Sequence, residues 1–153
     1  MADVVSPAVR SRMMAGIGGK NSKPEILIRK MLFSAGYRFR LHRRDLPGTP
    51  DIVLPGRKIV IFVHGCFWHA HERCRYFKIP ATRTDFWIAK LQSNANRDMC
   101  NVGKLTSTGW RVLCIWECAT RDSATAKSLL EQIVSWIDSD IEVKEIGAPL
   151  MQS

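Results

Sequence analysis

Apolar positions change their spacing several times along the chain, and each change predicts an element. Residues 59–63, Ile-Val-Ile-Phe-Val, form an unbroken apolar run that reads as a strand buried on both faces. Residues 110–116 are nearly all apolar too and predict a second central strand, with Cys114 as a core residue. Residues 37–41 alternate apolar and basic, as a half-buried strand does, and residues 51–54 give another strand that turns through Pro55-Gly56 into the central run. Helical spacing appears three times. Ser22 and Glu25 form a capping box ahead of Ile26, Leu27, Lys30, Met31 and Ala35, and Gly36 stops that helix. From residue 84 or 85 to about 106, Ile88, Leu91, Ala95, Met99, Val102 and Leu105 line one face. Ala126, Leu129, Leu130, Ile133, Val134 and Ile137 line the face of a last helix, and the chain after Asp140 reads as a weakly structured tail.

The connections predict an α/β fold with a mixed four-stranded sheet flanked by helices. A short turn at Pro55-Gly56 makes its two strands antiparallel and sets Asp51 opposite roughly Phe62, beside Val63 and His64. The central strand and the strand at 110–116 are joined through the long helix, a unit that is normally parallel and right-handed. Both then end at one rim, so Cys118 arrives where the loop 63–74 begins. The expected organisation is a basic arm at residues 1–21, one domain at 22–140 and a tail at 141–153. Arg10, Arg12 and Lys20 on the arm suit either a segment that orders on a partner or a frayed terminus.

The loop 63–74 holds His64, Cys66, Phe67, Trp68, His69, His71 and Cys74, a mixture a packed core does not use. Cys66, His71 and Cys74 with Cys118 form a three-sulfur, one-nitrogen set suited to a structural Zn2+. A loop this polar cannot hold its shape by burial, and closed coordination would staple it. His64, His69, Phe67 and Trp68 are left to face an outside partner.

Charge narrows that partner. The 153 residues carry a net charge of +9, which favours a polyanion, nucleic acid first and an anionic membrane surface second. No stretch approaches the roughly 18 apolar residues of a membrane span, and Met1-Ala2-Asp3 does not open a signal peptide, so a cytoplasmic protein with reduced cysteines is expected. Each candidate also has a plain structural use. Glu25 can simply close its capping box, and Asp51 can be satisfied by turn amides. Phe67, Trp68 and Trp87 can be core aromatics, and Lys90, Asn94 and Arg97 can be a solvated helix face, although these three side chains also read base edges.

Glu25 on the first helix and Asp51 on the second strand, in this order of elements, resemble the core of the restriction-endonuclease-like superfamily. The block Phe62 to His69 (FVHGCFWH), with residues 80–87 (PATRTDFW), Asn96-Arg97-Asp98, Gly109-Trp110-Arg111-Val112 and Trp116-Glu117-Cys118, is similar to the very short patch repair endonucleases. Members of that family nick DNA beside a T:G mismatch left by deamination of 5-methylcytosine. The resemblance implies Mg2+ ligated by Asp51 and the backbone carbonyl of Val63. It makes His64 and His69 the active-site histidines, with Glu25 supporting the surrounding water network. Phe67, Trp68 and Trp87 would enter the base stack from the major groove and Met14 would press from the minor groove, with Lys90 and Asn94 as candidate readers. Cys66, His71, Cys74 and Cys118 match the family's structural zinc ligands. The superfamily's acidic-x-Lys signature is absent from the third strand.

The resemblance also implies a functional link to a cytosine-5 methyltransferase and a bacterial, nucleoid-associated substrate, and a lesion on one strand suits a monomer. His69 is the expected general base and His64 the group on phosphate or leaving oxygen, with the reverse assignment open. Two rivals stay open: a less discriminating nickase of the same superfamily, and a zinc-stabilised DNA-binding module without catalysis.

Overall fold

The computed structural model describes residues 21–151, so Met14 and all of the expected arm but Asn21 lie outside the described part. The first helix, α1 (Lys23–Ser34), begins at Ser22, whose hydroxyl accepts from the Glu25 N–H. It ends as the glycine predicts. Gly36 takes φ +95°, its N–H donates to Phe33 and the Tyr37 N–H donates to Leu32, closing a Schellman turn. Because Tyr37 is drawn into that cap, the strand expected at 37–41 is reduced to β1 (Arg40–Leu41).

β2 (Ile52–Leu54) and β3 (Ile59–His64) pair antiparallel with Ile52 opposite Ile61. Their link is a 3-10 turn, Pro55–Arg57, closed by Lys58 in the left-handed region at φ +57°. The long helix α2 (Thr84–Ser107) carries the chain to β4 (Arg111–Trp116), which lies parallel to β3 with His64 opposite Trp116. A short α3 (Cys118–Arg121) follows, then α4 (Ser123–Ile137), whose first turn is capped by the Asp122 carboxylate on the Thr125 N–H and hydroxyl.

Among the described residues the sheet has five strands in the order β1-β2-β3-β4-β5, one more than expected. The additional strand, β5 (Val143–Ile146), pairs parallel with β4 and comes from the segment read as a weakly structured tail. Its sequence, Val-Lys-Glu-Ile, buries only Ile146 and so carries no strand pattern; pairing with β4 makes it a strand.

Alternate residues of β3 serve two cores, as its apolar run predicts. Ile59 and Ile61 pack with Ile28 and Leu32 of α1 and with Leu129, Ile133 and Trp136 of α4. Val60 and Phe62 face the other way, onto Leu105, Trp110 and Val112. The apolar face expected along α2 is buried only in places. Leu91 and Leu105 are buried, whereas Ile88 is 47% and Met99 73% exposed. Up to Asp98, α2 lies over the polar loop after β3 and meets it through the Trp87 ring and through Asn94 and Asp98. Among the described residues no helix is long and apolar enough to cross a membrane.

Ile146 is the one buried residue of β5, at 2% exposure. Ile146→Ala should lower the unfolding free energy in urea by about 2–5 kcal/mol. A loss below about 1 kcal/mol, the range of ordinary surface changes, would mean that β5 adds nothing to the core.

Candidate active site

The strand pairing decides where the chemistry gathers. One step beyond the Ile52–Ile61 pair, Asp51 reaches the end of β3, and its Oδ2 accepts from the Val63 N–H at 2.8 Å. The expected placement opposite Phe62 is what the register gives. Removal from water pushes the Asp51 carboxyl up to about 6, against the opposing pull of the Val63 N–H and of His42, His69 and Arg29. A carboxylate with that much unmet charge suits a cation.

Glu25, almost fully buried, faces the same point from α1. Its Oε2 accepts from Arg29 Nη2 and lies 2.8 Å from His42 Nε2, and its Oε1 accepts from the Asn21 N–H at 3.3 Å. The capping box is therefore half formed: Ser22 caps the helix, while the Glu25 side chain turns to Asn21, Arg29 and His42. Ligand atoms of Glu25, His42 and Asp51 all lie within 4.8 Å of one another, a group able to hold a metal ion.

Beyond β3 the chain makes a tight loop. The His69 N–H returns to Gly65 and the His71 N–H to Cys66, with Ala70 left-handed at φ +53°. The His64 and His69 rings stack at 3.8 Å and 4°. His69 Nδ1 meets Asp98 Oδ2 of α2 at 2.5 Å, which orients the imidazole and leaves Nε2 available. His64 is buried, and burial first, then the neighbouring His69, push it down to about 3. It is uncharged at neutral pH. The Cys114 thiol, raised far above its usual range by burial, sits 3.2 Å from His64 Nδ1.

The aromatic residues form an edge-to-face cluster at the front of this loop. Phe67 and Trp68 meet at 5.1 Å, Phe67 and Trp87 at 5.4 Å, and Trp68 and Trp87 at 6.1 Å, all three half-buried. They are neither core residues nor free. Asn94 Nδ2 donates to the Trp68 carbonyl at 2.9 Å, and Lys90 is exposed one turn earlier on α2.

Behind the loop, Cys66, His71, Cys74 and Cys118 are all buried, with ligand atoms within 4.8 Å of one another. The parallel β3–β4 pair delivers Cys118 to the rim as the topology predicts. His71 belongs to this group and His69 to the Asp98 group, so the two histidines separate cleanly. Each of three sulfurs accepts a backbone N–H: Cys66 from Cys118 at 3.4 Å, Cys74 from Tyr76 at 3.4 Å and Cys118 from Ala148 at 3.2 Å. His71 stacks on Trp116 at 4.0 Å. Without a counter-charge only one thiolate is favoured: the Cys66 hydrogen bond draws Cys118 down to about 5, while burial holds Cys74 up. The donor set and its amides fit a soft divalent metal that removes the conflict.

Two residues of the rim have no role assigned from the sequence. His42 sits in a loop that reads only as basic, and Asp98, although part of the Asn96-Arg97-Asp98 block, gains a role only when α2 is laid over the loop.

The model of the family described as DNA mismatch endonuclease Vsr matches residues 2–75. A protein of Escherichia coli (strain K12), named DNA mismatch endonuclease Vsr, is 43% identical over 139 residues, covering 90% of this chain and 88% of the relative. The chain belongs to the Vsr family. A type II nicking enzyme of Xanthomonas oryzae pv. oryzae is 46% identical over 134 residues, 88% of this chain and 98% of that one. The catalytic domain of the homing endonuclease I-Bth0305I superposes with a TM-score of 0.51 at 20% identity, over 78% of this chain and all of that one, a likeness of fold. The expected mixed α/β sheet flanked by helices thus stands in this Vsr family member, with five strands among the described residues.

The raised Asp51 carboxyl carries a pH signature. Folded protein holds that proton more tightly than unfolded chain, so the metal-free fold loses stability as pH rises from about 4 to about 6, by at most about 3 kcal/mol. Asp51→Asn keeps an acceptor for Val63 without the charge. It should melt higher than wild type above pH 6 in chelator, with the gain vanishing near pH 4. A gain independent of pH would show that the Asp51 charge is not strained.

Proposed function

We propose that this protein is a DNA endonuclease that nicks one strand at T:G mismatches, using Mg2+, and so starts repair of deaminated 5-methylcytosine. The observation that carries the reading is the meeting at one rim of the half-buried Asp51 carboxylate with the His69–Asp98 pair. A binding module without catalysis has no use for either.

Hydrolysis of a phosphodiester requires a proton acceptor for the attacking water, compensation for charge on the phosphate and a proton for the leaving 3′-oxygen. His69, held by Asp98 through Nδ1, presents Nε2 as the acceptor, and imidazole is the side chain suited to that task near neutral pH. His64 stays uncharged against Cys114 and presents a ring edge to a phosphate or leaving oxygen, and the leaving oxygen takes its proton from solvent. Magnesium, held by Asp51 and the Val63 carbonyl, would supply the positive charge that stabilises the phosphate and orients water. Glu25 holds the neighbouring polar network.

Phe67, Trp68 and Trp87 form the wedge into the base stack, opposed by Met14 from the arm. Inserting rings costs a few kcal/mol per base step, and less at a T:G wobble, which gives selectivity without reading each base. Lys90 and Asn94 are the readers, Asn94 also bracing Trp68. Zn2+ in the Cys66, His71, Cys74, Cys118 group staples the loop. The protein acts as a monomer in the bacterial cytoplasm, on nucleoid DNA, downstream of a cytosine-5 methyltransferase. The second reading is a less discriminating nickase. It is favoured by the names of relatives such as those of Xanthomonas oryzae and Neisseria meningitidis, which specify nicking and no mismatch.

A labelled T:G duplex and its T:A control, incubated with Mg2+, separate the readings. Cleavage of one strand of the T:G duplex alone is expected, cleavage of both duplexes supports the second reading, and binding without cleavage removes catalysis. His69→Ala should slow nicking about 100- to 10,000-fold, the range of general acid–base catalysis.

Cys118→Ser should release the metal. Wild type should yield one zinc per chain to a colorimetric chelator after denaturation and the variant none, with a lower melting temperature. Zinc retained at full stoichiometry in Cys118→Ser would exclude this group as its site.

A further inference from the structure

His42 directly follows β1 and is held at φ +50°, a left-handed backbone that is uncommon outside glycine. Two of its bonds tie it to the rim. Its main-chain N–H donates to the Asp51 carbonyl at 3.2 Å, one step past the Leu41–Ile52 pair. Its ring Nε2 lies 2.8 Å from Glu25 Oε2, with Arg29 Nη2 3.5 Å away. One residue thus grips the main chain of Asp51 and the side chain of Glu25 together.

Burial of Glu25 does not require this third partner. Arg29 already occupies Oε2 and the Asn21 N–H already occupies Oε1, which satisfies the carboxylate. What His42 adds is a connection to the Asp51 side of the rim, with ligand atoms of all three residues within 4.8 Å. We infer that His42 is a positioning residue for the divalent-cation site, fixing Asp51 through its main chain and orienting Glu25 toward it through its ring. This rests on the reading of Asp51 as a cation ligand. Oxygen donors with an imidazole beside them accept Mn2+ as well as Mg2+, so Mn2+ serves as a probe.

The test uses the full-length, zinc-loaded protein. His42→Gly suits the left-handed backbone, keeps the N–H on Asp51 and removes only the ring. His42→Gln restores an N–H donor at the end of the side chain. Mn2+ affinity is read from the paramagnetic signal of the free ion, and nicking is measured alongside. His42→Gly should weaken Mn2+ binding about 10- to 100-fold, the usual effect of losing a partner behind a ligand. It should lower kcat with KM for the duplex unchanged and leave the melting temperature within a few degrees, and His42→Gln should recover most of both losses. If His42→Gly does not fold, His42→Asn tolerates the same backbone, is too short to reach Glu25 and carries the same expectation. Wild-type Mn2+ affinity in the ring-less variant overturns the inference, as does a His42→Gln variant no better than it. Asp51→Ala separates the two levels. Loss of Mn2+ there with full affinity in His42→Gly removes the role of His42 alone, and full affinity in Asp51→Ala removes the cation assignment beneath it.

Discussion

A carboxylate withdrawn from water at the mouth of a sheet must be held by something, and Asp51 is held by the Val63 N–H at 2.8 Å. That bond exists only because β2 and β3 pair in one register, set by a 3-10 turn with Lys58 left-handed at its exit. A slip of one residue would send Asp51 to the opposite face of the sheet and leave the Val63 N–H to another partner. Burial then raises the carboxyl to about 6, so its charge is stored at the point where β3 gives way to the histidine loop. The neighbours that offset it, His42, His69 and Arg29, come from three different segments. The site is in this sense a consequence of strand register.

The loop after β3 is too polar to fold by burial, and two separate attachments replace a core. At its base, four buried ligands from the loop and from the end of β4 form a knot, each sulfur of the knot receiving a backbone N–H. Across its top, α2 reaches down with Asn94 to the Trp68 carbonyl and with Asp98 to His69. This explains why the first half of α2 keeps apolar residues exposed. There it meets the loop through the Trp87 ring and through the polar side chains of Asn94 and Asp98, while Leu105 near its far end packs on the sheet.

Much of this arrangement was legible in the chain. The apolar run at 59–63, the Pro55-Gly56 turn and the parallel crossover were enough to bring Asp51, the histidines and Cys118 to one rim, because each rests on local chemistry or on handedness. What was not legible depends on contacts between distant segments. Asp98 acquires meaning only when α2 crosses the loop, and His42 only when a left-handed backbone turns its ring toward α1. Met99 and Ile88 fit a helical apolar stripe by spacing, yet spacing cannot report that the stripe has no sheet beneath it. The tail escaped for a related reason. A four-residue edge strand with one buried side chain has no periodicity to detect.

That tail nevertheless closes over the Cys/His group. Beyond β5, the Ala148 N–H donates to Cys118 Sγ at 3.2 Å and the Met151 N–H donates to the Arg73 carbonyl of the loop at 2.6 Å. Just before them, Gly147 lies so close that a Cβ there would stand 3.2 Å from His71 Cε1 and 3.3 Å from Cys118 Sγ. The absent side chain lets the backbone approach two ligands at once, a use of glycine that sequence alone does not distinguish from a turn. Sheet edge and knot therefore support each other: β4 supplies Cys118 and the partner for β5, and the chain leaving β5 covers the sulfur that β4 delivers. Trp116, whose indole N–H donates to Glu145 of β5, stacks on His71 and lies opposite His64, which stacks on His69, so the edge strand, the four-residue Cys/His group and the two rim histidines are in continuous contact.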